Sequence, residues 1–212
     1  SETPKPTTIT DPLGNITKLS YDPLGNLIAL TDSNGNKSTY LYDSLSRLQQ
    51  ATNPLGQKTI FTYDKAGNLT KLQDPNGNIT TNVYNASNHL TQTKDALDNI
   101  TSFSYDNVGN LLKVTDANNN PLSFIYNKNY QKTGEKDALN NQTKFSYDKE
   151  GNLIQRIDAN GKTTSYLYNP IDDLLTIQYP DHKINYQYDP LGNLTQMTDK
   201  TGITKFTYDN RS

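Results

Sequence analysis

The chain has 212 residues, of which 32% are hydrophobic, and its mean hydropathy of -0.83 excludes a thick apolar core. Its 20 basic and 22 acidic residues follow one another in mixed order, without the block of like charge that marks a nucleic-acid or anionic-membrane partner. The absence of cysteine excludes disulfides and thiolate metal sites, and no apolar run approaches the roughly 18 residues that span a bilayer. We therefore expect no nucleic-acid partner and no membrane insertion.

The chain begins with a polar extension, residues 1–10, that is rich in Pro and Thr. Its first six residues have neither the charged nor the apolar region of an export signal, so the signal of an exported protein would lie outside this sequence. A repeat array begins at residue 11 and continues to residue 209, where a further turn would begin. We interpret residues 210–212 as the truncated end of a longer array.

Tyrosine recurs along the array at a spacing of 21 residues and then of 20. The positions are Tyr21, Tyr42, Tyr63, Tyr84, Tyr105, Tyr126, Tyr147, Tyr168, Tyr188 and Tyr208. An aromatic residue usually stands two positions earlier, as Phe61 does before Tyr63. Because side chains alternate along a strand, this spacing places both rings on one face, whereas a helix would separate them by about 200°. The pattern predicts about ten 21-residue repeats built on strands.

Each tyrosine is followed by the residues of a tight turn, as in Asp22-Pro23-Leu24-Gly25-Asn26. The Asp side chain bonds the backbone two residues on, Pro presets φ and Gly supplies a positive φ, a combination that indicates a type I turn with a G1 bulge. Glycine holds the fourth position after five of the tyrosines, at Gly25, Gly67, Gly109, Gly151 and Gly192. Turns at alternating intervals of 11 and 10 residues predict about twenty strands of about six residues.

Two features depart from simple repetition. The loop Tyr179-Pro180-Asp181-His182 is shortened, which predicts a tighter turn there. In addition, glycine at the fourth position alternates with Ser46, Asn88, Tyr130 and Asp172, which gives a superperiod of 42 residues. Duplication of a pair of hairpins is the simpler explanation, and the alternative is that alternate hairpins meet different neighbours.

These patterns predict an all-β fold, a tandem antiparallel β-hairpin meander of about twenty short strands that is curled into a spiral or shell-wall sheet. We expect curling because open sheets of more than about ten strands twist, split or close. Polar residues separate the rows of leucine and aromatic side chains, so both faces should be partly wet. Each hairpin buries little alone and must stack on its neighbours, as in solenoid proteins.

The motif Tyr-Asp-x-x-Gly-Asn-Leu at residues 21–27, 63–69, 105–111, 147–153 and 188–194, with Thr-Asp-x-x-Gly-Asn at 31–36, resembles the YD repeat. The resemblance covers about residues 8 to 210. This Rhs-repeat family includes the Rhs proteins, bacterial wall-associated proteins, the C component of insecticidal toxin complexes and the teneurins. It implies hairpins that spiral into a hollow shell, which in bacterial members encloses a C-terminal toxin. The core that closes such a shell and the toxin domain are not recognisable here.

Candidate chemical motifs in the turns are better explained as structure. Asp-Pro-Leu-Gly at residues 11–14, 22–25 and 189–192 is similar to the family's self-cleavage motif, but it falls in the regular turn register. The segments that begin at Asp32, Asp74 and Asp116 resemble the start of a calcium loop but lack its distal Glu. His89 and His182 belong to no triad or metal cluster. We expect no catalytic site, no metal and no cofactor.

The sequence therefore favours a non-catalytic structural segment of a secreted or cell-surface protein, part of a shell that encapsulates or presents a C-terminal toxin. The expected partners are neighbouring repeats, the core of the full-length protein and an enclosed toxin domain. The alternative is a carbohydrate or cell-surface adhesion module, in which exposed rows of tyrosine stack on sugars. The two outer strands could also pair edge to edge with another copy.

Overall fold

A computed structural model describes residues 5–209, which form twenty β-strands and no helix. The chain divides into two units, residues 1–103 and 104–212. The strands that begin in the first unit are β1 (Thr8–Thr10), β2 (Ile16–Tyr21), β3 (Leu27–Thr31), β4 (Lys37–Tyr42), β5 (Leu48–Thr52), β6 (Lys58–Tyr63), β7 (Leu69–Gln73), β8 (Ile79–Tyr84), β9 (Leu90–Lys94) and β10 (Ile100–Tyr105). Those of the second are β11 (Leu111–Thr115), β12 (Pro121–Tyr126), β13 (Lys132–Lys136), β14 (Gln142–Tyr147), β15 (Leu153–Ile157), β16 (Thr163–Tyr168), β17 (Leu174–Gln178), β18 (Lys183–Tyr188), β19 (Leu194–Asp199) and β20 (Gly202–Lys205).

Within each unit every strand pairs antiparallel with the strand before and after it in the chain. The predicted all-β hairpin meander and its strand number are therefore confirmed. Strand β1 lies within the segment that the sequence suggested as a polar extension, residues 1–10. The suggested truncated end, residues 210–212, lies outside the described residues.

The hairpins that contain a Tyr-Asp turn carry a β-bulge beside the turn. Tyr21 is opposite Leu27 and Ser20 is opposite Ala29, so Ile28 is the extra residue. The same register shift recurs in the equivalent hairpins of both units. A bulge increases the local twist of the sheet, so twist is built into every repeat.

The fourth turn position has the left-handed backbone that the sequence predicts. The angle φ is positive at ten glycines in this position, from Gly14 to Gly192, and also at Gly202. It is positive at seven residues other than glycine: Ser46, Asn88, Asp98, Asn119, Tyr130, Asn140 and Asp172. The shortened loop is the exception: Tyr179 donates its backbone N–H to the carbonyl of His182, which leaves only Pro180 and Asp181 between the paired residues. The prediction of a tighter turn there is confirmed.

The strands bury little. Apart from glycine, only two described residues are buried: Ala29, which is 9% exposed, and Thr164, which is 7% exposed. The chain exposes 14701 Å², whereas a compact protein of this mass would expose roughly 9,900 Å². The prediction of a thin, partly wet sheet is confirmed.

The two faces of the sheet differ in composition. Residues that pair across strands share a face, so Leu19 and Leu30 lie on the same face as Tyr21 and Leu27. We call this side, with the repeat tyrosines and their equivalents, the aromatic face. Lys18 and Thr31 lie on the opposite side, which we call the polar face. In the described part of the chain no helix is long and apolar enough to cross a membrane.

Candidate functional site

The turns are held by the side chain of their first residue. In the turn after Tyr21, Oδ1 of Asp22 accepts the backbone N–H of Asn26 at 2.8 Å, and Oδ2 accepts the Asn26 side-chain amide at 2.9 Å. The Asp22 carbonyl accepts the N–H of Gly25 at 2.9 Å. The amide of Asn26 holds the pKa of Asp22 below its ordinary value. The same arrangement recurs at Asp64, Asp106 and Asp189, whose partners are Asn68, Asn110 and Asn193.

This bonding determines what the suggested chemical motifs can do. Asp32 uses Oδ1 to accept two backbone N–H groups and Oδ2 to accept the amide of Asn36 at 2.7 Å. Asp74 and Asp116 are bonded in the same way. Their oxygens therefore face turn donors, and the described residues contain no group of three or more acidic or histidine side chains placed to hold a metal ion. Asp11 and Asp189, in the Asp-Pro-Leu-Gly motifs, are also bonded within their turns.

The two histidines lie in different units and have different surroundings. The backbone N–H of His89 donates to Oδ1 of Asn85 at 3.0 Å, as its place in a turn requires. Nδ1 of His182 is 2.8 Å from Oδ1 of Asp181, and its ring stacks on Tyr179 with centroids 4.4 Å apart. Tyr179 lies outside the tyrosine repeat, and this departure was the sequence signal for a local contact.

The repeat tyrosines form a second recurring device, a hydroxyl clamp between successive hairpins. The hydroxyl of Tyr42 donates to the carbonyl of Leu27, 15 residues earlier, at 3.0 Å. Tyr63, Tyr84, Tyr126, Tyr147, Tyr168, Tyr188 and Tyr208 donate in the same way to Leu48, Leu69, Leu111, Lys132, Leu153, Leu174 and Leu194. Sequence periodicity predicts that these rings share a face, but not that their hydroxyls reach a particular backbone carbonyl.

The clamp lies where adjacent hairpins separate. Strands β3 and β4 pair from Thr31 opposite Lys37 only as far as Ala29 opposite Thr39. Leu27 and Tyr42 lie beyond that last pair, towards the Tyr-Asp turns, and there the hydroxyl replaces the backbone ladder. Each clamp therefore restrains the angle between one hairpin and the next.

The clamp also bears on sugar binding. An aromatic platform for sugars needs exposed rings in a row, and the clamping hydroxyls are already bonded to the backbone. Tyr42, Tyr168 and Tyr188 are partly withdrawn from water, and this burial raises the pKa of their phenols above the ordinary value. The geometry therefore favours a packing role for these tyrosines.

Side-chain hydrogen bonds join several successive Tyr-Asp turns to each other. The amide of Asn26 donates to the Ser46 hydroxyl at 3.0 Å, and equivalent amides join Asn68 to Asn88 at 2.8 Å and Asn152 to Asp172 at 2.7 Å. From the same turn as Ser46, Arg47 donates to the carbonyl of Asp64 at 2.9 Å and lies over the ring of Tyr63. In these three pairs the acceptor occupies the turn position that glycine holds in the donor's own turn, as the alternative that alternate hairpins meet different neighbours would require.

Charged side chains interrupt the aromatic face at β13. Its Lys132 and Glu135 stand where β3 has Leu27 and Leu30, and they form an ion pair. The Lys132 ammonium lies 5.7 Å from the ring centre of Phe124 and 4.9 Å from that of Phe145. Its carbonyl still accepts the clamp from Tyr147 at 2.8 Å. The clamp thus uses the backbone and tolerates a charged side chain at the acceptor position.

Comparison with known proteins places this arrangement in a family. The sequence matches the family model of the RHS Repeat at residues 5–37, 42–79, 84–121, 147–184 and 168–205. No curated protein sequence matches the chain.

Solved Tc toxin structures have a similar fold. TcdB2-TccC3 without its hypervariable C-terminal region has a TM-score of 0.53 and 15% identity, over 92% of this chain and 15% of that chain. TcdB2-TccC3-Cdc42 has a TM-score of 0.54 and 17% identity, over 87% and 14%. A Photorhabdus luminescens Tc holotoxin pore with a mutated TccC3 has a TM-score of 0.55 and 15% identity, over 87% and 13%. The chain thus spans only a small part of these proteins, and the likeness at such identities is one of fold. Because the RHS Repeat model matches well over half of its residues, the chain belongs to the RHS repeat family.

Proposed function

We propose that the chain is a non-catalytic structural segment of a longer secreted or cell-surface Rhs-repeat protein, and that it forms part of a wall that encloses a C-terminal toxin. The observation that carries the proposal is the repeated hydroxyl clamp. One clamp geometry at eight tyrosines fixes the strand or segment that carries each of them to the hairpin before it, which is the property that a wall of defined curvature needs.

The bonding of the polar groups supports a structural role. Among the described side chains, none that is buried lacks a hydrogen-bond partner. The turn aspartates, the most frequent acidic groups, accept hydrogen bonds from their own turns and have lowered pKa values, as Asp64 does beside Asn68. A general acid at neutral pH needs the opposite shift.

The similar solved structures support the enclosing role by their fold and composition. Each contains TcdB2-TccC3 or a Tc holotoxin component, and one carries Cdc42. This chain corresponds to 15% or less of their length, so in the longer protein we expect further repeats to pair with the outer edges of β1 and β20.

The test uses the full-length protein that contains these residues. We expect limited proteolysis to spare the segment downstream of the repeats while the wall is intact. Changing Tyr42, Tyr63 and Tyr84 to Phe should make that segment cleavable, whereas Tyr40→Phe should not, because no described residue bonds the Tyr40 hydroxyl. A downstream segment that is cleaved equally fast in the unaltered protein would contradict the proposal.

A carbohydrate-binding role makes a different prediction. It requires binding on a glycan array that is lost when Tyr63, Tyr105 and Tyr147 are changed to Ala. The bonded hydroxyls of Tyr63 and Tyr147 count against it, so we expect a null array. Glycan binding that survives Tyr→Phe and is lost on Tyr→Ala would favour the adhesion module instead.

A further inference from the structure

Folding separates charges that are mixed along the sequence. In the first unit the polar face carries five lysines, Lys18, Lys37, Lys58, Lys71 and Lys94. The register confirms that they share the face: Lys18 is opposite Thr31, and Thr31 is opposite Lys37. In the described part of this unit, no strand position on the polar face is Asp or Glu.

The second unit repeats this separation. Its polar face carries Lys113, Lys136, Lys144, Lys183 and Lys205. Its paired strand positions on this face are otherwise filled by Ser, Thr, Gln, Asn, Pro, Gly and aliphatic residues. We call the polar face of each unit, defined by its five lysines, the lysine face.

Almost all of this positive charge is free to attract a partner. Of the ten lysines, only Lys94 has an ion pair with a described residue, Asp98 at 2.8 Å. Most of the described acidic residues lie instead in the turns, where carboxylates such as that of Asp74 are bonded to their own turn. Each unit therefore presents a basic surface, although the whole chain has a net charge of -2.

The chemistry of the lysine face selects among anionic partners. Single-stranded nucleic acid is bound by aromatic stacking and by arginine, and the lysine face has neither, because the rings lie on the aromatic face. Exposed aliphatic side chains lie among the lysines instead, with Leu41 at 56% and Val83 at 50% exposure. Aliphatic groups complement neither phosphodiesters nor sugars, but they do complement the side chains of a polypeptide.

We propose that the lysine face binds an acidic polypeptide segment that contains aliphatic residues. Lys18 and Lys37 lie in one row, two strands apart, as do Lys71 and Lys94. Two strands correspond to about 9.6 Å, which is close to one turn of a polyproline II segment, three residues at about 3.1 Å each. Because every third residue of such a segment points to the same side, a carboxylate at every third residue fits the rows. The proposal stands whether or not the array encloses a toxin.

The test measures binding by the complete chain at low ionic strength. The probe is a fluorescent peptide of repeated Glu-Leu-Ser triplets, followed by anisotropy. Lys113 and Lys136 form a third row, in the second unit, where both are opposite Ser123. The face variant breaks all three rows by combining Lys18→Gln, Lys37→Gln, Lys71→Gln, Lys113→Gln and Lys136→Gln. The matched control removes the same charge from residues at turns by combining Lys65→Gln, Lys128→Gln, Lys149→Gln, Lys162→Gln and Lys200→Gln.

We expect the unaltered chain to bind the peptide and the face variant to bind about tenfold more weakly, since exposed ion pairs each contribute a few-fold at most. The control should stay within about twofold of the unaltered chain. Circular dichroism should show the same strand content in all three proteins. No binding by the unaltered chain, an equal loss in the control, or tighter binding of an oligothymidine or of heparin than of the peptide would each overturn the proposal.

Discussion

The hydroxyl clamp makes a sharp prediction at Tyr42. Its hydroxyl donates to the Leu27 carbonyl at 3.0 Å, beyond the point where β3 and β4 are paired. Tyr42→Phe removes this bond and nothing else of the ring. A neutral hydrogen bond contributes about 0.5–1.5 kcal/mol to stability, and in a chain of this size the loss lowers the melting temperature by about 1–6 °C.

Tyr40 supplies the matched control, because it lies on the same strand and the same face as Tyr42. No described residue accepts a hydrogen bond from its hydroxyl, so Tyr40→Phe should leave the free energy of unfolding almost unchanged. Urea unfolding followed by circular dichroism measures both variants under one set of conditions. An equal loss of stability in Tyr40→Phe and Tyr42→Phe would refute the clamp.

The clamps should also act together. Eight clamping tyrosines at separate sites contribute about 4–12 kcal/mol if their effects add, which is comparable with the 5–15 kcal/mol that stabilises a typical protein. A variant with all eight changed to Phe should therefore be largely unfolded at room temperature. A variant that melts cooperatively near the temperature of the unaltered chain would contradict this estimate.

Four further predictions concern the turns and pH. Tyr130 has a φ of 62°, so Tyr130→Gly should raise the free energy of unfolding by about 1 kcal/mol. At Gly35 an added Cβ meets no atom within 4 Å, so Gly35→Ala should lower the free energy of unfolding by a similar amount through backbone strain alone. Urea unfolding tests both variants, and no change in either would exclude such strain. Hydrogen bonds from Asn26 lower the pKa of Asp22 in the folded protein. Their contribution to the free energy of unfolding is complete above the ordinary Asp pKa and is lost as pH falls through the lowered value. Acid unfolding should therefore begin only below about pH 4, and a melting temperature that is unchanged at pH 2 would contradict this. Burial raises the pKa of Tyr42 in the folded protein. The stability that depends on its neutral phenol is complete below the ordinary tyrosine pKa and is lost as pH rises through the raised value. Ultraviolet absorbance should show that part of the tyrosines ionise late, together with unfolding, whereas ionisation of all tyrosines in one step at the ordinary pKa would contradict it.

The sequence predicts the strands and turns well because each is specified locally. Positive φ at Gly25 follows from the Asp-x-x-Gly pattern, and the aromatic face follows from a spacing of two residues. Contacts between hairpins are less predictable. The Tyr42 clamp to Leu27 depends on where two ladders separate, and the Asn26 contact with Ser46 depends on which turns become neighbours.

The charges show the same difference between sequence order and space. Lys18 and Lys37 are 19 positions apart, with Asp22 and Asp32 between them. Reading charge along the chain therefore suggested an even mixture. The fold places these two aspartates in turns and these two lysines on one face, because alternation within strands and register between them fix where each charge lies.

The most direct test of the proposed wall is an electron cryo-microscopy map of the full-length protein that contains these residues. We predict that the twenty strands form part of a continuous wall around an internal volume that holds density for the enclosed polypeptide. A map in which the same strands pack into a solid domain without an internal volume, or in which the downstream segment lies wholly outside the wall, would contradict it.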